Sequence, residues 1–525
     1  MYRFFNANGE STMPRRFLGV LPPLSIPKKR KAKVLGKPSR LLACPVEVQL
    51  NILDFLSKED LVALSLVNKH LANIVQPVLH REVDVSCPTG GTTGDPTPLI
   101  LVVRTLLDRP DLAQAVQHLR FDGYDFPARK VDEIPITPIT CLKRTDMIKA
   151  LKVIHGSRLN DAIGWANCFL GGQVDSIVAL LVALTPKVRS IYLGEDFSVE
   201  IYYLRLLFDP ERRITSRNSS FHKFEHLRHV TVNNYAATYY HRRLKLTNVF
   251  QSFFHLHMLE KLFISGSFPE DSRPVVASTK MNNLRCLDLK RIDEAELEQI
   301  LSLAPNLTGL KYTYAWHSKA SDLSNRTLTL DMSTLRDSLE GHRLKLERLE
   351  LLAVDDPGVL KRDTLWPLAI QGPPLKLHAF SNLRILLVPW IFITGPSKGA
   401  HVSPLRYVIP ESVVLLSLAD DLHRQPYWGW KGEDIKQMVA DYLHYVKEAE
   451  TALGAMYMVG PLFTDLWTDE EYFSARMLAL SADVNFRAVK MTISENDECR
   501  EMKERYRRYG KCRRGAQNEM NWMRV

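Results

Sequence analysis

The chain has 525 residues and a formal net charge of +10, with 45% hydrophobic and 24% charged residues. This composition is that of an ordinary globular protein, and the length leaves room for several hydrophobic cores. The charge is uneven, because residues 1–40 carry +9 and residues 499–525 carry +6, which leaves −5 for residues 41–498. A mildly acidic body argues against a general nucleic-acid-binding surface outside the two termini.

The cysteines and the apolar runs indicate the cellular compartment. The seven cysteines are scattered and never spaced as C-x-x-C, which favours a reducing compartment over a disulfide framework or a zinc finger. The longest apolar run, SIVALLVAL at residues 176–184, is far shorter than the ~20 residues that span a bilayer. We therefore expect a protein of the nucleus or the cytoplasm without a membrane segment.

Residues 1–40 predict a disordered basic arm, since they lack hydrophobic periodicity and carry clustered prolines and lysines. Within the arm, PKKRKAKV at residues 27–34 resembles a nuclear localisation signal, which is read as an extended charged peptide. The alternative is a solvated basic tail that no receptor reads.

Residues 41–83 predict three short helices. Pro45 suits the first position of a helix, because its missing N–H would be unpaired there. Ser57 and Asp60 form a capping arrangement that opens a second helix, and a third helix begins at Asn68 and ends or kinks near Pro77. Three helices of this length cannot bury their many aliphatic side chains among themselves. Either another protein covers them, or they pack on the rest of the chain.

This segment resembles an F-box. The pattern of that family appears at Cys44-Pro45, Glu47-Val48, Ile52-Leu53, Phe55-Leu56, Asp60-Leu61, Leu64 and Val67-Asn68-Lys69, with Cys44 where leucine is usual. The resemblance implies that the chain docks on a Skp-family adaptor, and through it on a cullin–RING ubiquitin ligase, as the receptor for an unknown target protein. Transferred from the adaptor-facing pattern of the family, the candidate adaptor-binding residues are Pro45, Val48, Ile52, Leu53, Leu56, Leu61, Leu64 and Val67. Some of these eight must instead pack the three helices together, and the sequence does not separate the two sets.

A Gly/Pro/Thr-rich stretch, SCPTGGTTGDPTP, follows and predicts a flexible linker over residues 84–98. Residues 99–121 then predict a helix, a turn at Arg109–Pro110 and a second helix.

From residue 188 onward, a six-residue window recurs with aliphatic residues at positions 1, 4 and 6. Positions 4 and 6 predict one face of a strand, and position 1 marks the entry of the chain into it. The windows are Val188/Ile191/Leu193, Leu227/Val230/Val232, Leu259/Leu262/Ile264, Leu284/Leu287/Leu289, Leu307/Leu310/Tyr312, Leu346/Leu349/Leu351, Leu383/Leu386/Val388 and Val413/Leu416/Leu418.

The windows resemble leucine-rich repeats, because two of them follow a helical run that stops at a proline. Asn or Cys is usual three residues after position 6, and here other residues such as Tyr235 and Ile292 stand in that place. The resemblance implies an irregular α/β solenoid over residues 99–430 that binds the target, with positions 3 and 5 on its concave side. The alternative is an unrelated leucine-rich α/β protein in which the pattern arises by chance.

The C-terminal part differs from the repeats. Residues 432–454 have the pattern of an amphipathic helix, so residues 431–498 predict a helical cap on the solenoid. Residues 499–525 predict a basic tail, in which KERYRRYGKCRRG interleaves Arg and Lys with tyrosines. This tail could bind RNA or act as a second targeting signal, or it could simply be solvated.

We find no sequence signature of an enzyme. The chain has no phosphate-binding G-x-x-x-x-G-K-[ST], no G-x-G-x-x-G, no H-E-x-x-H and no G-x-S-x-G. His255 and His257 would share one side of a strand, but no cysteine or acid nearby completes a metal shell. We therefore expect a non-catalytic protein without a cofactor. Two alternatives to a ligase receptor remain: an F-box scaffold that acts outside a ligase, and a nuclear nucleic-acid-binding protein that uses its basic termini.

Overall fold

The computed structural model describes residues 41–87, 98–123, 139–198, 201–209, 224–233, 252–265, 280–290, 292, 294–316, 328–355, 368–398, 402–425 and 427–489. The predicted basic arm, most of the predicted linker and the predicted basic tail lie outside these residues. The chain divides into two compact units, residues 1–56 and residues 57–525, and each is described by itself.

In the first unit, the structure describes one helix, α1 (Val46–Leu53). Pro45 caps it rather than occupying its first turn, with φ −53° and ψ 151°. Its carbonyl accepts the N–H of Gln49 at 3.0 Å, so Pro45 still starts the helix. It does so as the cap, and the first helical residue is Val46.

The second unit opens with helices, a strand and two more helices. These are α2 (Lys58–Ser65), α3 (Lys69–Leu79), β1 (Glu82–Cys87), α4 (Pro98–Asp108) and α5 (Pro110–Ala115). The predicted cap is confirmed, since Ser57 Oγ accepts the N–H of Asp60 at 3.1 Å. Asn68, the predicted start of the third helix, caps α3, and its Oδ1 accepts the N–H of Leu71 at 2.9 Å. The predicted turn at Arg109–Pro110 is present. The second predicted helix is shorter than expected, because it ends at Ala115 and the chain continues as a strand.

A parallel sheet runs through the rest of this unit. Its further strands are β2 (His118–Gly123), β3 (Ser190–Leu193), β4 (His229–Asn233), β5 (Lys261–Ser265), β6 (Cys286–Lys290), β7 (Gly309–Trp316), β9 (Arg348–Asp355), β11 (Ile385–Pro389), β12 (Leu415–Ala419), β13 (Ala455–Val459) and β14 (Asn485–Val489). Over the described residues, the sheet has twelve strands in chain order, and only β8 (Leu328–Asp331) and β10 (Leu368–Gln371) leave it to form a parallel pair of their own. The remaining α-helices are α6 (Arg144–Gly156), α7 (Ala162–Leu170), α8 (Val174–Leu184), α9 (Glu195–Ser198), α10 (Tyr202–Phe208), α11 (Glu294–Leu303), α12 (Met332–Glu340), α13 (Trp390–Thr394), α14 (Gly432–Ala449), α15 (Pro461–Asp465) and α16 (Asp469–Ser481).

All eight six-residue windows coincide with strands of this sheet. In β6, for example, Leu287 and Leu289 are buried, while Cys286 and Asp288 are partly exposed on the other face. Leu284, at position 1 of the same window, is fully buried just before the strand. The neighbouring strands repeat this arrangement in register, from Leu262 through Leu287 to Leu310. Each window therefore adds one strand and one buried row to a shared core.

The sheet extends beyond the predicted repeat domain at both ends. β1 lies partly inside the segment predicted as a linker, and it pairs in parallel with β2. Residues 431–498 contain the predicted amphipathic helix as α14, but they also contain β13 and β14, which pair with the sheet in register. This region is a continuation of the sheet with its own helices, and the prediction of a purely helical cap was wrong. In the part of the chain that is described, no helix has both the length and the apolar character required to cross a membrane.

Candidate functional site

Helix α1 is held to the segment before it by a buried glutamine. The Gln49 side chain is 2% exposed, and its Nε2 donates to the carbonyls of Leu41 at 3.1 Å and Cys44 at 2.8 Å. Buried carbonyl groups need such donors, because an unpaired polar group in the interior is costly. Gln49 thus ties the start of α1 to the residues just before it.

Helix α1 and the turn after it expose large apolar side chains beside the polar Glu47 and Asn51. Four large side chains are exposed, and we call them the first apolar set: Val46 (46%), Val48 (43%), Ile52 (40%) and Phe55 (90%). Val48 and Ile52 are four residues apart and lie along one side of α1, and Phe55 stands in the turn just after the helix. A phenylalanine that exposes nine-tenths of its surface favours contact with a partner.

In the second unit, α2 packs against α3. Leu61 of α2 and Leu71 and Val75 of α3 are buried, at 5%, 4% and 0% exposure. Helix α3 in turn contacts α5, and Arg109 Nη1 donates to Gln76 Oε1 at 3.2 Å. The pair of helices is therefore anchored to α5, which precedes β2 in the chain.

Helix α2 and the residues after it also expose aliphatic side chains. The second apolar set consists of Val62 (49%), Leu66 (81%) and Val67 (65%). Val62 and Leu66 are four residues apart and lie on one side of the helix, and Leu66 and Val67 form the turn before α3. Large apolar groups this exposed, close together in the chain, are typical of protein-binding surfaces.

The structure divides the eight predicted adaptor-binding residues. Leu53 and Leu61 are buried, so their side chains stabilise the fold, and Leu56 and Leu64 are partly buried. Pro45, Val48, Ile52 and Val67 are exposed. The sequence prediction omitted other exposed apolar residues, namely Val46, Phe55, Val62 and Leu66. The spacings 48–52–55 and 62–66 were a signal in the sequence that could have identified three of these four.

Positions 3 and 5 of the windows lie on the other face of the sheet, which we call the outer face. Most of these residues are partly exposed, whereas Gly309, Glu350, Leu387 and Ser417 are buried. Ion pairs cross it between and along neighbouring strands. Lys311 Nζ lies 3.5 Å from Asp288 Oδ2 on the adjacent strand, and Arg348 pairs with Glu350 two residues along its own strand. Burial raises the pKa of Asp288, while the charge and hydrogen bond of Lys311 oppose that rise. This face is therefore a polar surface with partly desolvated charges.

The titration of His229 is expected to report the charge on this face. Burial, followed by the charges of Lys261, His118 and Arg228, lowers the pKa of His229 to about 4. The folded protein therefore holds this imidazole neutral, and its contribution to stability is lost as the pH falls from about 6.5 toward 4. Lys261→Met should raise the pKa of His229 but leave it below 6.5, because burial remains. An NMR titration of the histidine signals checks this, and an unchanged pKa would show that Lys261 does not act on His229.

The two histidines considered as a metal pair do not lie on a strand. His255 and His257 stand in the turns before β5, His255 partly buried and His257 exposed. Within the described ranges, no three His, Cys, Asp or Glu side chains come together in a group suited to a metal ion.

Comparison with known proteins places both apolar sets within the match to one family model. A search of curated proteins finds no significant match to this chain. The family model described as F-box-like matches residues 42–86, and this range contains α1, α2, α3 and every residue of both apolar sets. The chain therefore carries an F-box-like domain at residues 42–86.

Proposed function

We propose that this protein is the substrate receptor of an SCF-type ubiquitin ligase. The observation that carries the proposal is the exposure of the two apolar sets within a segment that matches the F-box-like family. F-box domains typically bind Skp-family adaptors, and the adaptor would cover Phe55 and Leu66. Covering this surface removes apolar area from water, which stabilises the complex by about 25 cal/mol for each Å² that is buried.

In this proposal, the sheet supplies the target-binding part. Strands in chain order, each with a six-residue window in register with the next, support an irregular leucine-rich repeat architecture. A target held on the outer face would be kept near the ubiquitin-charged enzyme that the cullin–RING assembly recruits. The chain would then raise the rate of ubiquitin transfer by holding the target close to the charged enzyme. It would supply no bond chemistry and no cofactor of its own. We place its action in the nucleus or the cytoplasm.

Reconstitution with purified partners tests the proposal. The full chain is co-expressed with a Skp-family adaptor, and the complex is mixed with a cullin–RING pair. We expect the adaptor and the cullin to co-purify with the wild-type chain. Val62→Asp with Leu66→Asp should weaken adaptor binding about 100-fold, since a loss of ~1.4 kcal/mol of binding free energy at each of the two positions corresponds to that factor.

A matched control separates a lost contact from added charge. Gln114→Asp introduces an acid at an exposed site on α5, outside the family match, and should leave adaptor binding unchanged. Normal adaptor binding by the Val62/Leu66 variant would contradict the proposal. Adaptor binding without cullin would instead identify an F-box scaffold that works outside a ligase.

A further inference from the structure

Helix α16, the last helix of the described residues, leaves one apolar side uncovered. Three large side chains on it are exposed, and we call them the end set: Phe473 (65%), Met477 (50%) and Leu480 (56%). They follow each other at spacings of four and three residues, so they lie along one side of the helix. Large apolar side chains this exposed favour contact with a further segment of protein.

The end set points away from the neighbouring helix α14. The two helices are in contact, and Lys436 Nζ of α14 lies 2.8 Å from Glu471 Oε2 of α16, so Glu471 marks the side of α16 toward α14. Successive residues of a helix point about 100° apart, which places Phe473 about 160° and Leu480 about 180° from Glu471. Helix α14 precedes β13 in the chain, and α16 precedes β14. A helix that precedes a further strand would therefore lie against the end set.

The sheet is open at the same end of the fold. β14 pairs with β13, and over the described residues it is the last strand of the sheet. The free edge of a strand presents N–H and C=O groups with which another strand can pair. One more helix and one more strand would thus cover both the end set and this edge.

The sequence directly after β14 has the pattern of such a helix. Four of its apolar residues recur at spacings of three, four and three residues, as on one side of a helix: Cys499, Met502, Tyr506 and Tyr509. Ser494 and Asp497 form a capping arrangement before them, and Gly510 suits the position after the last helical residue. The other side of this predicted helix carries Arg500 and Glu504, and a polar outer side is what a terminal repeat needs.

The same segment also contains the six-residue window. Met520, Met523 and Val525 stand at its positions 1, 4 and 6. The window begins 37 residues after the corresponding position of β14 (residues 483 to 520), and the same interval separates the windows of β9 and β11 (residues 346 to 383). Residues 490–525 therefore repeat the pattern of helix and strand that builds the rest of the sheet.

The size of the end set favours a segment of the same chain over a separate protein. At about 200 Å² for a large side chain, the three exposed fractions correspond to roughly 350 Å², well below the ~800 Å² per partner of a stable protein–protein interface. A segment that follows β14 directly is already tethered next to α16. It therefore needs less contact area to stay bound than a free partner does.

We propose that residues 490–525 dock on this end of the fold as one more helix and strand, and that Met502 and Tyr506 cover the end set. The surface formed by α16 and the edge of β14 is then a docking surface for the chain's own C-terminal segment. The basic residues of that segment remain on its outer sides.

Hydroxyl-radical footprinting of the full chain tests the inference. In the wild-type protein, Phe473 should be labelled far more slowly than Phe55, with or without the adaptor and at every protein concentration. Met502→Asp with Tyr506→Asp should release the segment and raise the labelling rates of Phe473 and Met477 at least about tenfold, because an unpaired charge is costly to bury. Arg500→Asp is the matched control, since it changes the net charge by the same two units on the other side of the predicted helix, and it should keep the wild-type rates.

A substitution on α16 tests the same contact from the other side. Leu480→Asp lies at an exposed position, where substitutions usually change stability by no more than about 0.5 kcal/mol, and it should speed the alkylation of Cys499. Rapid labelling of Phe473 in the wild-type chain would overturn the inference, and so would slow labelling that survives the Met502/Tyr506 variant or alkylation of Cys499 that Leu480→Asp leaves unchanged. Protection of the end set that is lost on dilution would show that a second copy of the chain covers it instead.

Discussion

Replacing Ile52 and Phe55 together by aspartate is expected to abolish adaptor binding while the protein stays folded. Both side chains are exposed, at 40% and 90%, so little packing is lost in the free chain, where surface substitutions usually change stability by no more than about 0.5 kcal/mol. In the complex, two anchors disappear and two charges would be buried. Alanine at one such anchor commonly costs about 2–4 kcal/mol, so a loss of at least about 1,000-fold is expected for both.

Isothermal titration calorimetry with the purified adaptor measures this loss, and thermal unfolding shows whether the variant is folded. Leu53→Ala serves as the contrasting control, because Leu53 is 2% exposed. It should lower the free energy of unfolding by about 2–5 kcal/mol and affect adaptor binding only through the folded fraction. A variant at Ile52 and Phe55 that binds the adaptor with wild-type affinity would show that the first apolar set is not the docking surface.

Gly460→Ala is expected to destabilise the C-terminal part of the sheet strongly. Gly460 follows β13 with φ +128°, a conformation that L residues with a side chain avoid, and a Cβ atom would stand 1.8 Å from Asp420 Oδ1. Asp420 Oδ2 accepts the N–H groups of Leu462 at 2.6 Å and Phe463 at 3.3 Å. Backbone strain and the displacement of this buried carboxylate together should cost about 3–5 kcal/mol.

Urea unfolding followed by circular dichroism measures the change in the free energy of unfolding. Gly454→Ala is the matched control, because its Cβ would make only ordinary contacts, 3.7 Å and longer, with Val414. The control should be near neutral. Equal effects of the two substitutions would contradict a stabilising tie between Asp420, just after β12, and the turn after β13.

The middle of the fold was predictable because its core residues are large aliphatics at a fixed spacing. The same spacing also occurs at Val116/Leu119/Phe121, for β2, and at Leu453/Met456/Met458, for β13, and all six side chains are buried. The first strand was missed because the sequence up to residue 121 predicts a helix, which ends at Ala115 in the structure. The second was missed because methionines occupy positions 4 and 6 of its window. Methionine packs a core well but also favours helices, so the sequence around β13 resembled the neighbouring α14.

The F-box-like segment was predictable, but its division into packing and exposed residues was not. Leu53 and Ile52 are neighbours of similar hydrophobicity, yet one is buried and the other is 40% exposed. On a helix, adjacent residues point about 100° apart, and only the position of the surrounding elements decides which of them faces the interior.

The most direct measurement of the central claim is hydroxyl-radical footprinting of the full chain with and without the adaptor. Phe55 and Leu66 are the most exposed apolar residues of the two sets, at 90% and 81%, so both should be labelled rapidly in the free protein. The account predicts that saturating adaptor protects both at least about tenfold, while the exposed Phe473 on α16, at 65%, keeps its rate. Undiminished labelling of Phe55 and Leu66 in the presence of bound adaptor would contradict the claim that these apolar sets are its docking surface.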